Sequence, residues 1–229
     1  MTEQGRAPGW LLDEVAHAGR ENLDADHVAR YDDKEDAGAA TEVELLRALG
    51  LDATSTLLDI GAGTGQLALA VAPHCRRVIA VDVSPVMLTR LRTNIETRGL
   101  TNVECVHAGV LTYEPDEPGA LADVAYSRYA LHHLPDFWKA IALRRMADML
   151  RPGGVLRLWD VVYSFELADA ERRIDAWITE TMAADVEHGC RVPVSRPDGD
   201  GCVSVLACRR VAAAMTRLAV SRMMSLRTY

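Results

Sequence analysis

Lysine is almost absent from this chain: of 25 basic residues only Lys34 and Lys139 are lysines, and the other 23 are arginines. An Arg- and Ala-rich, Lys-poor composition suggests a GC-rich genome and says nothing about function. Long apolar runs are missing too. None approaches the roughly 20 residues of a membrane span, so no transmembrane segment is expected. The start, Met1-Thr2-Glu3-Gln4-Gly5-Arg6, lacks the charged-then-apolar layout of a signal peptide, which predicts a cytoplasmic protein. Cys75, Cys105, Cys190, Cys202 and Cys208 are odd in number and form no C-x-x-C pair. Neither a disulfide framework nor a zinc site is indicated, and reduced thiols are expected. Positive charge is also in deficit, with 33 acids against 25 bases and a net charge of -8. That balance argues against a nonspecific grip on nucleic acid, which depends on lysine and arginine neutralising phosphates.

What is present suits a single folded unit. With 229 residues, 49% hydrophobic and 25% charged, the chain can bury the core of one α/β domain but is short for two of ordinary size. Its organising stretch is Leu57-Leu58-Asp59-Ile60-Gly61-Ala62-Gly63-Thr64-Gly65-Gln66-Leu67-Ala68. A short apolar run reaches an acid, three glycines follow on alternate positions, and an apolar segment of helical length begins. This reads as strand, tight turn, helix. Glycines at 61, 63 and 65 permit backbone angles closed to other residues and let a ligand come against the main chain. A helix N-terminus beyond the turn would present free N–H groups to ribose oxygens, carboxylates or phosphates. A nucleotide-like ligand is the first expectation.

The rest of the chain alternates. Residues 10–36 are polar with scattered apolar positions, as in helices lying over a domain edge, and 29–33 are a candidate lid over a ligand. Val43, Leu46 and Leu49 share a helical face that stops at Gly50. Arg77-Val78-Ile79-Ala80-Val81-Asp82 is a second strand ending in an acid, and Ser84-Pro85 caps the helix after it. Further strands are predicted near 103–107, 122–127 and 155–162, a helix over about 136–150 with Asp136 as its cap, and a turn at Arg151-Pro152-Gly153-Gly154. Another helix is expected within 163–187. Strands alternating with helices predict an α/β, doubly wound, mostly parallel sheet with helices on both faces.

Beyond residue 190 the character changes: seven arginines face Asp198 and Asp200, a local +5, so the first 189 residues carry -13. One reading makes 192–194 and 202–206 an antiparallel hairpin on the sheet edge with a basic helix over 209–226. The other takes the tail as aberrant coding sequence, leaving that edge incomplete. The expected division is an N-terminal helical cap (1–38), a main domain (39–189) and this tail (190–229).

From about residue 40 to 162 the chain resembles the class I S-adenosylmethionine-dependent methyltransferases. The resemblance rests on an ordered set: Asp59-Ile60-Gly61-Ala62-Gly63-Thr64-Gly65, Asp82 closing the second strand, Leu131-His132-His133-Leu134 after the fourth, and Leu150-Arg151-Pro152-Gly153-Gly154 before the fifth. It implies S-adenosylmethionine as cofactor and S-adenosylhomocysteine as product. The implied cofactor-binding residues are Tyr31, Asp59, Gly61, Ala62, Gly63, Gly65, Gln66, Asp82, Val83, Met87, Gly109, Ser127 and Arg128. Asp59 would place the ammonium group, Asp82 would accept both ribose hydroxyls, and Val83 and Met87 would flank the adenine. Many relatives carry an acid after the third strand that binds the adenine amino group. Here His107-Ala108-Gly109-Val110 stands there, leaving that contact to backbone groups or a neighbouring side chain.

A competing nucleotide fold, the dinucleotide-binding dehydrogenase, wants G-x-G-x-x-G, but here the third glycine comes one position early and Gln66 takes its place. Methyl transfer needs positioning above all, and a base only where the acceptor must lose a proton. His132 and His133 are the candidates for that base, with Tyr129, Asp160 and Tyr163 behind them. After the fourth strand Ser127-Arg128-Tyr129-Ala130 replaces the Asn/Asp-Pro-Pro-Tyr/Phe segment of enzymes that methylate DNA bases or amide nitrogens. Together with the acidic charge this favours a small-molecule acceptor, and no metal cluster is expected. A catalytically silent cofactor-binding module is the alternative from another functional class.

Overall fold

A computed structural model describes residues 8–29, 38–116, 119–162, 167–169, 171–172, 175–176 and 201–208. Six strands form one sheet in the order β3-β2-β1-β4-β5-β6. They are β1 (Thr56–Ile60), β2 (Arg77–Asp82), β3 (Val103–His107), β4 (Ala122–Arg128), β5 (Leu150–Val162) and β6 (Gly201–Cys208). The first five run parallel, and β6 lies antiparallel to β5 at the edge. The helices are α1 (Glu14–His17), α2 (Ala25–Ala29), α3 (Ala39–Ala48), α4 (Gln66–Val71), α5 (Pro85–Thr97) and α6 (Asp136–Asp148). This is the α/β doubly wound architecture expected from the sequence.

The strand period of two explains the two-sided core. Leu57, Val78, Ala80 and Val124 point to one face, where Leu67, Val71, Leu88 and Leu91 of α4 and α5 meet them. Leu58, Ile60, Ile79 and Val81 point to the other, against Ala142 and Met146 of α6. Strands buried on both faces read as continuous apolar runs.

Local signals behave as the residue types dictate. Ser84 Oγ accepts the Met87 N–H at 3.1 Å, with Pro85 in the first turn of α5. At the end of α3 the Leu51 N–H returns to the Leu46 carbonyl at 3.0 Å around Gly50. Asp136 departs from expectation. Pro135 occupies the cap of α6, and Asp136 sits inside the first turn, 3.0 Å from Lys139 Nζ.

The Arg-Pro-Gly-Gly turn is likewise corrected. Leu150 pairs with Ala122 and Val155 with Val124, so four residues, 151–154, stand opposite Asp123 alone. The segment is a bulge within β5. A Cβ on Gly154 would lie 3.0 Å from the carbonyls of both Arg151 and Asp123, which explains the glycine.

In the tail, the expected strand over 202–206 forms as β6, but its partner is β5. The other hairpin arm, the basic helix over 209–226, the lid segment from 30 to 33 with Tyr31, Tyr163 and most of the 163–187 helix lie outside the described residues. Among the described residues no helix is long and apolar enough to cross a membrane, and no group of three or more His, Cys, Asp or Glu is placed to hold a metal ion.

Candidate functional site

The chain runs outward from β1 through β2 to β3, then returns to place β4 on the other side of β1. Crevices at the C-terminal ends of strands open at such a reversal. Two connected hollows lie there, on either side of the turn after β1. One is lined by Asp82, Val83, Ser84, Met87, Ala108 and Gly109 with Glu14, Ala18 and Asn22 from the N-terminal segment. The other is lined by Asp59, Ala62, Thr64 and Gln66 among others. Gly61, Gly63, Arg128 and Tyr129 border both.

Asp82 ties the turn to the next strand. Its Oδ2 accepts the Gly63 N–H at 2.8 Å and its Oδ1 the Ser84 N–H at 2.7 Å. Burial pushes its carboxyl up, against the opposing pull of those two N–H groups. Asp59, 3% exposed, is raised as well: burial first and the Asp82 charge second lift it from 3.8 to about 7. Two buried carboxylates on the walls of one cleft favour a cationic ligand.

Gly63 has φ of +55° and open space where its Cβ would stand, so the main chain itself is the cleft wall. Gly65 differs. A Cβ there would come 2.1 Å from Leu91 Cδ1, so this glycine lets α4 close onto α5 and borders neither hollow. α4 has only six residues, so the helix end contributes less than the sequence led one to expect.

At the far wall, Tyr129 is the one non-glycine residue with positive φ, +51°, among the described residues, and its N–H donates to the Trp159 carbonyl at 2.9 Å. Such backbone strain concentrates at functional sites. The Arg128 guanidinium stacks over the Tyr129 and Trp159 rings, 5.1 Å from each centroid. Two buried polar atoms lack a hydrogen-bond partner among the described residues, Arg128 Nε and Ser127 Oγ.

Next to this wall, Asp160 is 5% exposed and accepts the N–H groups of Leu131 (2.6 Å) and His132 (3.2 Å). Its other oxygen meets His132 Nδ1 at 2.8 Å. A carboxylate can only accept there, so Nδ1 carries a proton, and in the neutral imidazole the lone pair is on Nε2. His133 packs against His132, with ring centroids 4.1 Å apart and planes tilted by 39°, and borders the first hollow. Burial, with His132 beside it, lowers the His133 imidazole below its ordinary 6.5.

Residues 57–154 match the methyltransferase domain family. The chain is 32% identical over 134 residues to an uncharacterized methyltransferase of Mycobacterium tuberculosis, covering 58% of this chain and 64% of that protein. It is 33% identical over 168 residues to the 27-O-demethylrifamycin SV methyltransferase of Amycolatopsis mediterranei, covering 69% of this chain and 58% of that one. Among solved structures, the N-methyltransferase NodS of Bradyrhizobium japonicum in complex with S-adenosyl-L-homocysteine superposes with a TM-score of 0.52 at 26% identity. That match covers 72% of this chain and 79% of NodS. The matched part of this chain, residues 57–154, is similar to a methyltransferase domain. It spans less than two thirds of the two curated relatives.

Within this matched part most of the sequence-predicted residues converge. Asp59, Gly61, Ala62, Gly63, Gln66, Asp82, Val83, Met87, Gly109 and Arg128 all border the two hollows. Gly65 and Ser127 do not: Gly65 packs helices together, and Ser127 is fully buried within β4. Of the histidine pair, only His133 borders a hollow. Sequence reasoning missed Glu14, Ala18 and Asn22. Their elements are one turn each, too short for a periodic signal. The Asp13 cap, which accepts the Val15 N–H at 3.1 Å, was the available clue.

Proposed function

We propose that this chain moves a methyl group from S-adenosylmethionine to a small-molecule acceptor, releasing S-adenosylhomocysteine. One observation carries the reading: Asp59 and Asp82 flank a glycine turn whose Gly63 leaves open space at the cleft wall. A ligand with a sulfonium and an ammonium group, a ribose diol and a carboxylate matches that wall. Asp82 accepts from the diol, and its oxygens are already oriented by the N–H groups of Gly63 and Ser84. Asp59 holds the ammonium, and Arg128, which borders both hollows, supplies a guanidinium for the carboxylate. When bound, the sulfonium supplies an activated methyl carbon open to in-line attack.

An acceptor that must lose a proton needs a base. His132, which borders neither hollow, is the candidate for an acceptor bound beside them, with Nε2 as the basic atom of its neutral form and Asp160 as the positioning residue that fixes its tautomer. His133 forms part of the cleft wall. The absence of the Asn/Asp-Pro-Pro-Tyr/Phe segment, the net charge of -8 and the rifamycin named for one relative support a small organic acceptor over a nucleic acid or a membrane.

Calorimetric titration with S-adenosylmethionine, S-adenosylhomocysteine and NAD tests the reading. Binding of the first two and not the third is expected, followed by label transfer from S-adenosylmethionine to members of an acceptor panel. Binding of NAD alone would overturn it. Binding without transfer to any acceptor would favour the silent module.

A further inference from the structure

Beside Asp82, the first hollow contains a second carboxylate, brought in by the N-terminal segment. Glu14 opens α1, whose start is fixed by the Asp13 side chain accepting the Val15 and Ala16 N–H groups at 3.1 and 3.2 Å. A second tether holds this segment down, the Ser84 hydroxyl donating to the Asn22 carbonyl at 2.6 Å. Glu14 is thereby laid across the loop after β3, where the Leu111 N–H donates to its Oε2 at 3.0 Å.

The loop has room for this carboxylate only because residue 109 is glycine. A Cβ at that position would stand 1.9 Å from Glu14 Oε2, 2.1 Å from Cδ and 2.4 Å from Oε1. The Glu14 carboxyl group thus fills the space a side chain on residue 109 would take. Val83, Met87 and Ala108 border the same hollow as Glu14 and Asp82. This is a wall with a polar acceptor for a sugar diol, an apolar slot for a flat ring, and a further acceptor for a group on the ring.

We propose that Glu14, seated on Gly109, is the specificity-determining residue that reads the exocyclic amine of the cofactor's base. The assignment rests on the S-adenosylmethionine reading above. A carboxylate oxygen accepts from the amine of adenine but opposes the carbonyl oxygen that hypoxanthine presents at the same ring position. Rejection of a mismatched group by a polar site exceeds the gain from a matched one, because the buried group is left unpaired. The N-terminal segment is therefore part of the cofactor site, and its docking and cofactor selection are coupled through one side chain.

The test compares binding of S-adenosylhomocysteine with that of its inosine analogue by calorimetry, in the full chain and two variants. The wild type is expected to prefer the adenine form by tenfold or more. In Glu14→Gln one oxygen remains for the Leu111 N–H and the amide NH2 matches hypoxanthine, so the preference should fall to near unity or reverse. Gly109→Ala leaves Glu14 in the sequence but takes its seat, and should erode the preference in the same way. If Glu14→Gln weakens both ligands equally, or neither, Glu14 serves only to dock α1 and the assignment fails. A wild type that binds both equally also overturns it while leaving the cofactor reading intact. A wild type that binds neither overturns the cofactor reading itself.

Discussion

Asp82 Oδ2 and the Gly63 N–H lie 2.8 Å apart, so the acid that ends β2 also fixes the glycine turn that follows β1. The other oxygen holds the Ser84 N–H at 2.7 Å, at the cap of α5. Asp82→Ala removes a charged acceptor from the ligand and releases two backbone donors together. Losing about 1.5–3 kcal/mol of charge-assisted hydrogen bonding corresponds to roughly tenfold to a hundredfold weaker binding of S-adenosylhomocysteine. Calorimetry reads this directly, and an unchanged affinity removes Asp82 from the site.

Asp59 predicts a pH dependence of opposite sign for binding and for stability. Its carboxyl titrates near 7 in the folded chain against an ordinary 3.8. A ligand ammonium held by Asp59 favours the charged carboxylate, so binding releases a proton below that point. Affinity for S-adenosylhomocysteine should fall by up to about tenfold per pH unit below 7 and level off above it. Stability runs the other way. Between about pH 4 and 7 the folded chain holds a proton that the unfolded chain has lost, so stability declines as pH rises across that window. Asp59→Asn should raise the melting temperature at about pH 8 and flatten the binding profile. A melting temperature lowered by Asp59→Asn at that pH would show that the carboxylate is not under strain.

The fold was legible because its signals are periodic and chemically distinct. Leu57, Leu58 and Ile60 of β1 and Val78 to Val81 of β2 are apolar on both faces, Ser84-Pro85 and Gly50 mark helix boundaries, and an acid stands at the end of β2 and one residue before the end of β1. Asp59, Asp82 and the glycine turn could be placed together because β1 and β2 are adjacent and in parallel register, with Ile60 opposite Val81. Glu14 is 95 positions before Gly109, and no local pattern connects them. Gly65, which packs α4 against α5, could not be told from Gly63 in the sequence because a glycine needed for helix packing has the same signature as one that faces a ligand. The Arg-Pro-Gly-Gly segment carries turn residues, but whether they turn the chain or bulge it depends on Asp123 of the neighbouring strand, which Arg151 Nε engages.

Gly63 and Gly65 can be separated by experiment. Both have positive φ, +55° and +88°, so alanine at either should cost about 1–2 kcal/mol in backbone strain. Gly65→Ala also drives a methyl group into Leu91, which is fully buried, and should lower the melting temperature further. Gly63→Ala projects into the cleft and should weaken S-adenosylhomocysteine binding more than it lowers the melting temperature. Equal effects of the two substitutions on binding would contradict the division of roles.

Away from the cleft, Glu42 of α3 and Arg157 of β5 form a buried bidentate pair, with Nε to Oε2 at 2.8 Å and Nη2 to Oε1 at 2.6 Å. Both side chains are nearly inaccessible, 6% and 4% exposed. Charges so placed are costly to desolvate, and the attraction mainly offsets that cost. Removing Glu42 takes the bidentate carboxylate from a buried guanidinium. Glu42→Ala should therefore destabilise the chain by about 3–5 kcal/mol, a drop on the order of 10 °C in melting temperature for a domain of this size. Replacing both at once, Glu42→Leu with Arg157→Met, removes the buried charge as well and should recover most of the loss. The double variant distinguishes the two possibilities: if it melts as low as Glu42→Ala, the pair supplies net stability rather than merely neutralising itself.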